Sequence, residues 1–141
     1  MIEKQLKDLT DLINKDSYHL SIGEILNLYR DKELELIKPK EEITLEQKTV
    51  VIEAILLGLD CPNIVVRVED DGTWKALSEN IELSTIIEFI ENPFKLKSCR
   101  LLKLFEDQSW ETFTANLRMN FKRKKVYVQI IHTNLEIINF F

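Results

Sequence analysis

The first candidate for a chemical role is a short junction, Ser78–Glu82, with the sequence SENIE. The pattern predicts that a strand ends just before it, at Leu77, and that a helix begins just after it, near Leu83. Junctions of this kind often hold phosphates or substrates in α/β proteins, because the first N–H groups of a helix are unpaired. This junction contains no glycine and no basic residue. It has the position of a phosphate site without the residue types that such a site usually needs.

A second candidate is the run RMNFKRKK, residues 118–125, which contains five positive charges and no acidic residue. The positive residues are Arg118, Lys122, Arg123, Lys124 and Lys125. Two hypotheses stay open for this run: a contact with nucleic-acid phosphates, or a solvated helix end whose cations complement the helix dipole. Because the whole chain has a net charge of −5, we expect any nucleic-acid binding to be weak.

No other group of residues has the spacing of a catalytic or metal site. The only histidines, His19 and His132, are far apart, and the only cysteines, Cys61 and Cys99, have neither zinc-ligand nor disulfide-framework spacing. We expect both thiols to be reduced and buried. The sequence also lacks a Walker loop, a dinucleotide-binding fingerprint and an HExxH motif. It therefore predicts no catalytic residue, no cofactor and no metal ligand set.

Length and composition indicate one folded domain that spans residues 1–141. Hydrophobic residues make up 45% of the chain and charged residues 30%, proportions that are typical of a globular protein. No run is apolar and long enough to span a membrane, and the N-terminal residues lack the pattern of a signal peptide. We therefore expect a cytoplasmic protein that does not enter the membrane.

Apolar periodicity and capping signals predict the elements that position these residues. Capping boxes at Ser21–Glu24 and Thr44–Gln47 predict two helix starts, and Gly58 predicts the end of the second of these helices. Asp71–Gly72 lies between two β-rich runs and predicts a hairpin. The predicted helices are 2–13, 22–29, 45–57, 83–90, 110–121 and a last one from Leu135, and the predicted strands are 34–37, 64–69, 73–77 and 125–132. Residues 94–105 fit either state. Together these elements predict an α+β fold, in which several helices pack on a small mixed sheet that contains the hairpin.

Five segments of the chain match, in order, the pattern of a known family. They are Ser21–Tyr29 (SIGEILNLY), Lys48–Ile64 (KTVVIEAILLGLDCPNI), Asp71–Trp74 (DGTW), Leu83–Phe89 (LSTIIEF) and Ser109–Ile131. In these segments the chain resembles the N-terminal domain of GmrSD-type modification-dependent restriction endonucleases. That domain is ParB/sulfiredoxin-like and occurs in many bacterial and phage-defence proteins. The resemblance implies a ParB/sulfiredoxin-like region over residues 18–141, with residues 1–17 as an additional N-terminal helix.

The chain departs from this family at the positions that carry the family's chemistry. The family's Asp-Gly-Gln-Gln-Arg motif, which is associated with nucleotide handling, corresponds to Ser78, Glu79, Asn80, Ile81 and Glu82. A glutamate therefore stands in place of the arginine, and a carboxylate repels a phosphate that a guanidinium would bind. A second family segment, Asn-Pro-x-Phe-Gln-Arg, falls near Lys38–Ile43 (KPKEEI), where only Pro39 is retained.

Three interpretations of these departures stay open. The chain is a degenerate family member that kept the scaffold and lost the site, or the resemblance reflects core patterning alone, or Glu42, Glu79 and Glu82 form a new acidic or metal site. The first interpretation predicts a binding or regulatory module without nucleotide-dependent activity, a pseudo-enzyme. The alternatives are an NTP-dependent nuclease domain with a drifted motif and a weak nucleic-acid-binding module.

The C-terminal segment TNLEIINFF predicts an interface. Its capping box predicts a helix from Leu135, and a helix this short is unstable in water unless it docks on another surface. It can dock on its own domain, on a second copy in a homodimer, or on a partner protein. The predicted interface residues are Leu135, Ile138, Phe140 and Phe141.

Overall fold

One five-stranded mixed sheet organises the protein in the computed structural model, which describes residues 1–141. The strands are β1 (Asn14–Ser21), β2 (Leu34–Ile37), β3 (Asn63–Val68), β4 (Trp74–Glu79) and β5 (Lys125–His132). Their order in the sheet is β1-β5-β3-β4-β2. The β2/β4 and β3/β5 pairs are parallel, and the β1/β5 and β3/β4 pairs are antiparallel. The carboxyl ends of β1, β2 and β4 therefore lie at the same end of the sheet as the amino ends of β3 and β5.

Four of the five helices share one core with the sheet. The helices are α1 (Ile2–Thr10), α2 (Ile22–Arg30), α3 (Leu45–Leu56), α4 (Ile81–Glu91) and α5 (Ala115–Lys122). Buried side chains of α2 to α5 meet alternate residues of the strands, such as Val66 and Val128. Phe89 of α4 is fully buried, and its ring lies 5.1 to 6.2 Å from those of Phe94, Phe113, Trp110 and Phe121. In contrast, α1 contributes no buried residue.

The opposite face of the sheet is covered by the C-terminal segment. Ile137 and Leu135 pack on Leu77 of β4 and Ile131 of β5 in a second, smaller apolar cluster. A 3₁₀ turn, Ile138–Phe140, follows this contact. The molecule thus has a thick helical layer on one side of the sheet and a thin layer of irregular chain on the other.

The observed architecture confirms the predicted α+β class and its mixed sheet. Both capping boxes are present: Glu24 donates its backbone N–H to Ser21 Oγ at 3.0 Å, and Gln47 donates to Thr44 Oγ1 at 3.2 Å. The hairpin joins β3 to β4, with Gly72 at a φ of +88°. No helix of the fold has both the length and the apolar character that a membrane crossing requires.

Several predicted element boundaries were wrong. The N-terminal helix ends at Thr10, and the next residues form β1, which we had not predicted. The helix predicted from Trp110 is divided into a 3₁₀ turn and α5, because a new cap at Thr114 restarts the helix there. Residues 94–105 form no strand, and only a 3₁₀ turn, Lys103–Phe105, interrupts the irregular chain.

Two further corrections concern chemistry. The predicted helix from Leu135 does not form, since Leu135 and Ile137 instead pack on the sheet as irregular chain. Cys61 is exposed rather than buried, and its thiol donates to the carbonyl of Lys125 at 3.3 Å, whereas Cys99 is buried as expected. Burial raises the pKa of the Cys99 thiol, which disfavours the thiolate form.

Candidate functional site

The two segments that depart from the family meet in one groove. Because β2 and β4 are parallel, the chain that follows each of them leaves the same end of the sheet. Residues 39–43, after β2, and Glu79 and Ile81, at the junction of β4 and α4, therefore line a common groove of about 340 Å³. The amino-terminal part of α3 completes its wall with Gln47 and Val51. We call this the acidic groove.

The charges of the acidic groove are mostly negative. Glu41, Glu42 and Glu79 line it, together with a single cation, Lys40. None of these four residues takes part in an ion pair. The Glu79 carboxylate accepts a hydrogen bond from the backbone N–H of Lys40 at 3.0 Å, which joins the two segments. The groove therefore repels phosphate groups more than it attracts them.

The junction itself is shorter than predicted. The strand β4 continues to Glu79 and α4 begins at Ile81, so that a single residue, Asn80, separates the strand from the helix. Asn80 caps α4 by accepting from the N–H of Leu83 at 2.8 Å, and its amide also donates to the carbonyl of Asn63. The oxygen and the amide nitrogen of the Asn80 side chain therefore each already hold a hydrogen bond within the fold.

Glu82 lies against another carboxylate. The Oε2 atom of Glu82 is buried and accepts no hydrogen bond. The Asp60 carboxylate, in the loop after α3, faces Glu82 and can share a hydrogen bond with it only if one of the two is protonated. This hydrogen bond, together with burial and the charge of Asp60, raises the pKa of Glu82 to about 7.

The structure does not support the alternative of a metal site built from Glu42, Glu79 and Glu82. Glu42 and Glu79 line the acidic groove, whereas Glu82 faces Asp60. No group of three His, Cys, Asp or Glu side chains converges anywhere in the chain in a way that would hold a metal ion. The three carboxylates that this alternative requires are therefore divided between two places in the fold.

A larger groove of about 580 Å³ lies between α2 and α5. Its cations are Arg118, Lys122 and Arg123 from the predicted basic run, and its only acid is Glu24. We call it the basic groove. The α2 capping box fixes Glu24, whose carboxylate accepts from the N–H and the hydroxyl of Ser21 at 3.4 and 3.1 Å. The basic run is thus partly assembled into a concave surface.

The same structure places the other two cations of the run outside the basic groove. Lys124 lines a neighbouring pocket on the other side of α5. Lys125 begins β5 opposite Ser21, next to the basic groove, but does not line it. The structure therefore brings together three of the five predicted nucleic-acid residues and places the other two beside them.

The predicted interface residues divide between buried and exposed positions. Leu135 is partly buried on the sheet, whereas Ile138, Phe140 and Phe141 are 42%, 83% and 48% exposed. Apolar side chains of α1, such as Ile2 and Leu6, are also exposed, and no residue of α1 belongs to either apolar cluster. An interface at the C-terminal segment stays a prediction.

Two carboxylates that matter to the fold were missed by the sequence analysis. Asp60 gave no signal, because its contact with Glu82 depends on how two distant loops meet. Glu53 of α3 is almost fully buried and accepts from the backbone N–H groups of Arg100, Leu101 and Leu102 at 2.9, 2.6 and 2.6 Å. Burial alone would raise the Glu53 pKa, but these three hydrogen bonds together lower it. A buried position on an otherwise apolar helix face was the one available signal.

Comparisons with known proteins identify no relative of this chain. No family model matches it, and neither the curated proteins nor the solved structures contain a significant match.

Proposed function

We propose that the protein is a binding or regulatory module that has the scaffold of a GmrSD-type, ParB/sulfiredoxin-like domain without nucleotide-dependent activity. The observation that carries this proposal is the acidic groove. The family's two site segments correspond to residues that meet at it: Glu79 stands at the family's glycine, Glu41 and Glu42 stand at its aromatic and amide positions, and Ile43 stands at an arginine. The resemblance suggests the scaffold, and the charges of the acidic groove support the absence of nucleotide binding.

Electrostatics supports the loss of nucleotide binding. A nucleoside triphosphate carries several negative charges, and each carboxylate at the edge of the groove repels it. The residues that would have to donate hydrogen bonds to phosphate oxygens are a glutamate at position 82, an isoleucine at position 81 and Asn80. Of these side chains, only that of Asn80 has N–H donors, and one of its two is already bonded to Asn63.

The test is thermal unfolding with ATP, GTP, CTP and UTP, each with magnesium. We expect no change in the melting temperature of the natural chain. A ligand that binds only the native state would stabilise it by about 2.7 kcal/mol at a concentration of one hundred times its dissociation constant. A clear rise with any nucleotide would contradict the proposal and favour the nuclease alternative with a drifted motif.

A restored variant sharpens this test. Glu79→Gly with Glu82→Arg brings back two of the residue types that the family uses at these positions. If the resemblance describes a lost site, this variant should show a small nucleotide-dependent rise that the natural chain lacks. The matched control is Glu33→Gly with Glu35→Arg, which makes the same change in charge and composition at two exposed positions outside the groove and both family segments.

A further inference from the structure

We propose that the basic groove binds the phosphodiester backbone of a nucleic acid. This inference is independent of the proposed function, because it concerns the surface between α2 and α5 and not the acidic groove. Its first support is that the cations of the groove have no carboxylate partners. No carboxylate lies within 4.0 Å of the charged groups of Arg118, Lys122 or Arg123, although acidic residues outnumber basic ones in the chain, 24 to 19.

The second support is that two of the cations are held in place. Arg118 donates from Nε to the carbonyl of Trp110 at 3.0 Å and from Nη2 to the carbonyl of Glu111 at 2.9 Å. The Arg118 guanidinium and the Lys122 ammonium lie 5.6 and 5.9 Å from the centre of the same Trp110 ring. The other N–H groups of Arg118 are free to donate. Fixed cations lose less conformational entropy when they bind an anion.

The third support is the composition of the groove wall. Its lining contains no aromatic residue, and Trp110 is buried beneath the two cations. No aromatic ring is therefore available to stack on a base, which is the usual feature of sites that read single-stranded bases. A cationic surface without aromatic rings suits contacts with phosphates, which fix position and carry no sequence information.

The flanking residues favour an extended polyanion over a small anion. Lys124 and Lys125 continue the positive surface past the end of α5, toward the start of β5. A chain of phosphates can contact cations in succession along such a surface, whereas an isolated phosphate can contact only a few of them. The proposed ligand is therefore a nucleic-acid strand or duplex of any sequence.

The experiment measures fluorescence anisotropy of a labelled duplex and a labelled single strand of about 20 nucleotides in low and higher salt, about 50 and about 200 mM. Phosphate contacts by the three cations of the groove predict a slope for log Kobs against log salt concentration of about −3 for the duplex and about −2 for the single strand. The double reversal Lys122→Glu with Arg123→Glu, at two exposed positions, should weaken binding at least about tenfold and reduce the slope to about −1.

Two further variants guard against indirect effects. Lys15→Glu with Lys38→Glu changes the net charge equally at exposed positions away from the groove, and we expect much weaker effects on affinity. Ala115→Glu adds one carboxylate to the groove wall in the first turn of α5, where the helix dipole favours a negative charge. This variant should fold at least as well as the natural chain and still lose affinity.

The results that would overturn the proposal are definite. They are no binding at low salt, an equal loss in the Lys15 and Lys38 control, or unchanged binding in the groove variants. Inorganic polyphosphate and poly-glutamate serve as competitors at equal charge. If either displaces the duplex and the single strand as well as unlabelled nucleic acid does, the groove is a general anion site and the nucleic-acid assignment is wrong. A nucleotide-dependent rise in melting temperature bears on the acidic groove only if it persists in the Lys122→Glu with Arg123→Glu variant, because a triphosphate can also bind the cations of the basic groove.

Discussion

The acidic and basic grooves lie at the same end of the sheet, but their charged side chains are arranged differently. In the basic groove, cations are spread over a concave wall, and two of them rest on the ring of Trp110. In the acidic groove, the Glu79 carboxylate accepts a hydrogen bond from one backbone N–H. Beside the groove, Glu82 lies against a second carboxylate, Asp60. Like charges that are spread out cost the fold little, whereas like charges in contact cost it more.

A third carboxylate shows what a fully compensated charge does in this protein. Glu53 is buried, and both of its oxygens accept hydrogen bonds from the backbone of the loop after α4. A buried carboxylate with this many hydrogen bonds stabilises the fold, whereas the unpaired charges at the surface line the candidate binding sites. The comparison therefore predicts that stability and binding can be changed separately.

The largest expected effect is the loss of stability in Glu53→Ala. The substitution leaves three backbone N–H groups without their acceptor and opens a cavity in α3, so we expect a loss of about 3 kcal/mol in the free energy of unfolding. Urea denaturation measures it. Glu46→Ala is the matched control on the exposed side of the same helix, with an expected effect of about 0.5 kcal/mol or less. Equal effects of the two variants would show that Glu53 is not a scaffold residue.

The second prediction concerns the pH dependence that Glu82 gives to stability. Its pKa is raised from 4.5 to about 7 in the folded protein, so the folded state holds the proton more tightly than the unfolded state does. Stability should therefore fall as pH rises from 4.5 to about 7 and stay lower above that range. Because Glu82 is partly open to solvent, we expect a loss of only about 1 kcal/mol.

Glu82→Gln tests this explanation. The amide removes the negative charge beside Asp60, so the variant should be more stable than the natural chain at pH 8 by about 1 kcal/mol and should lose the pH dependence in this range. Thermal unfolding across the pH range measures both. Glu42→Gln makes the same chemical change in the acidic groove and should retain the dependence. A natural chain whose stability rises steadily from pH 5 to pH 8 would contradict the assignment.

Local signals were enough to predict much of the fold. Capping boxes, helical periodicity and an Asp-Gly turn depend on neighbours in sequence, and the helices and the hairpin that they predicted are present. The strand β1 was missed because its side chains are polar and mostly exposed. It is held by backbone pairing with β5, more than 100 residues away in the chain, and the composition of β1 gives no sign of this.

The two candidate sites differ in how far the sequence could predict them. Five cations within eight residues predict a basic surface. How they divide between the basic groove and the neighbouring pocket depends on the backbone geometry at the end of α5. The acidic groove requires the parallel pairing of β2 with β4, and the contact of Glu82 with Asp60 requires two loops to meet. Neither relation has a local signal.

The smallest expected change in stability tests whether the apolar C-terminal segment is a third surface, separate from both grooves. Phe140 and Phe141 are exposed and lie just beyond the docked Ile137, so Phe140→Ser with Phe141→Ser should change the stability of the monomer by about 0.5 kcal/mol or less. Exposed apolar side chains often mark an interface, and we expect the natural chain to self-associate through them. Sedimentation velocity at rising protein concentration should show a dimer for the natural chain and a monomer for the variant, with nucleic-acid affinity per chain retained.

The control is Leu101→Ser with Leu104→Ser, which replaces two other exposed apolar side chains, 70% and 93% exposed, in the loop after α4. A monomeric natural chain at high concentration, or equal dissociation in the control, would contradict an interface at the C-terminal segment and leave the two grooves as the candidate binding surfaces.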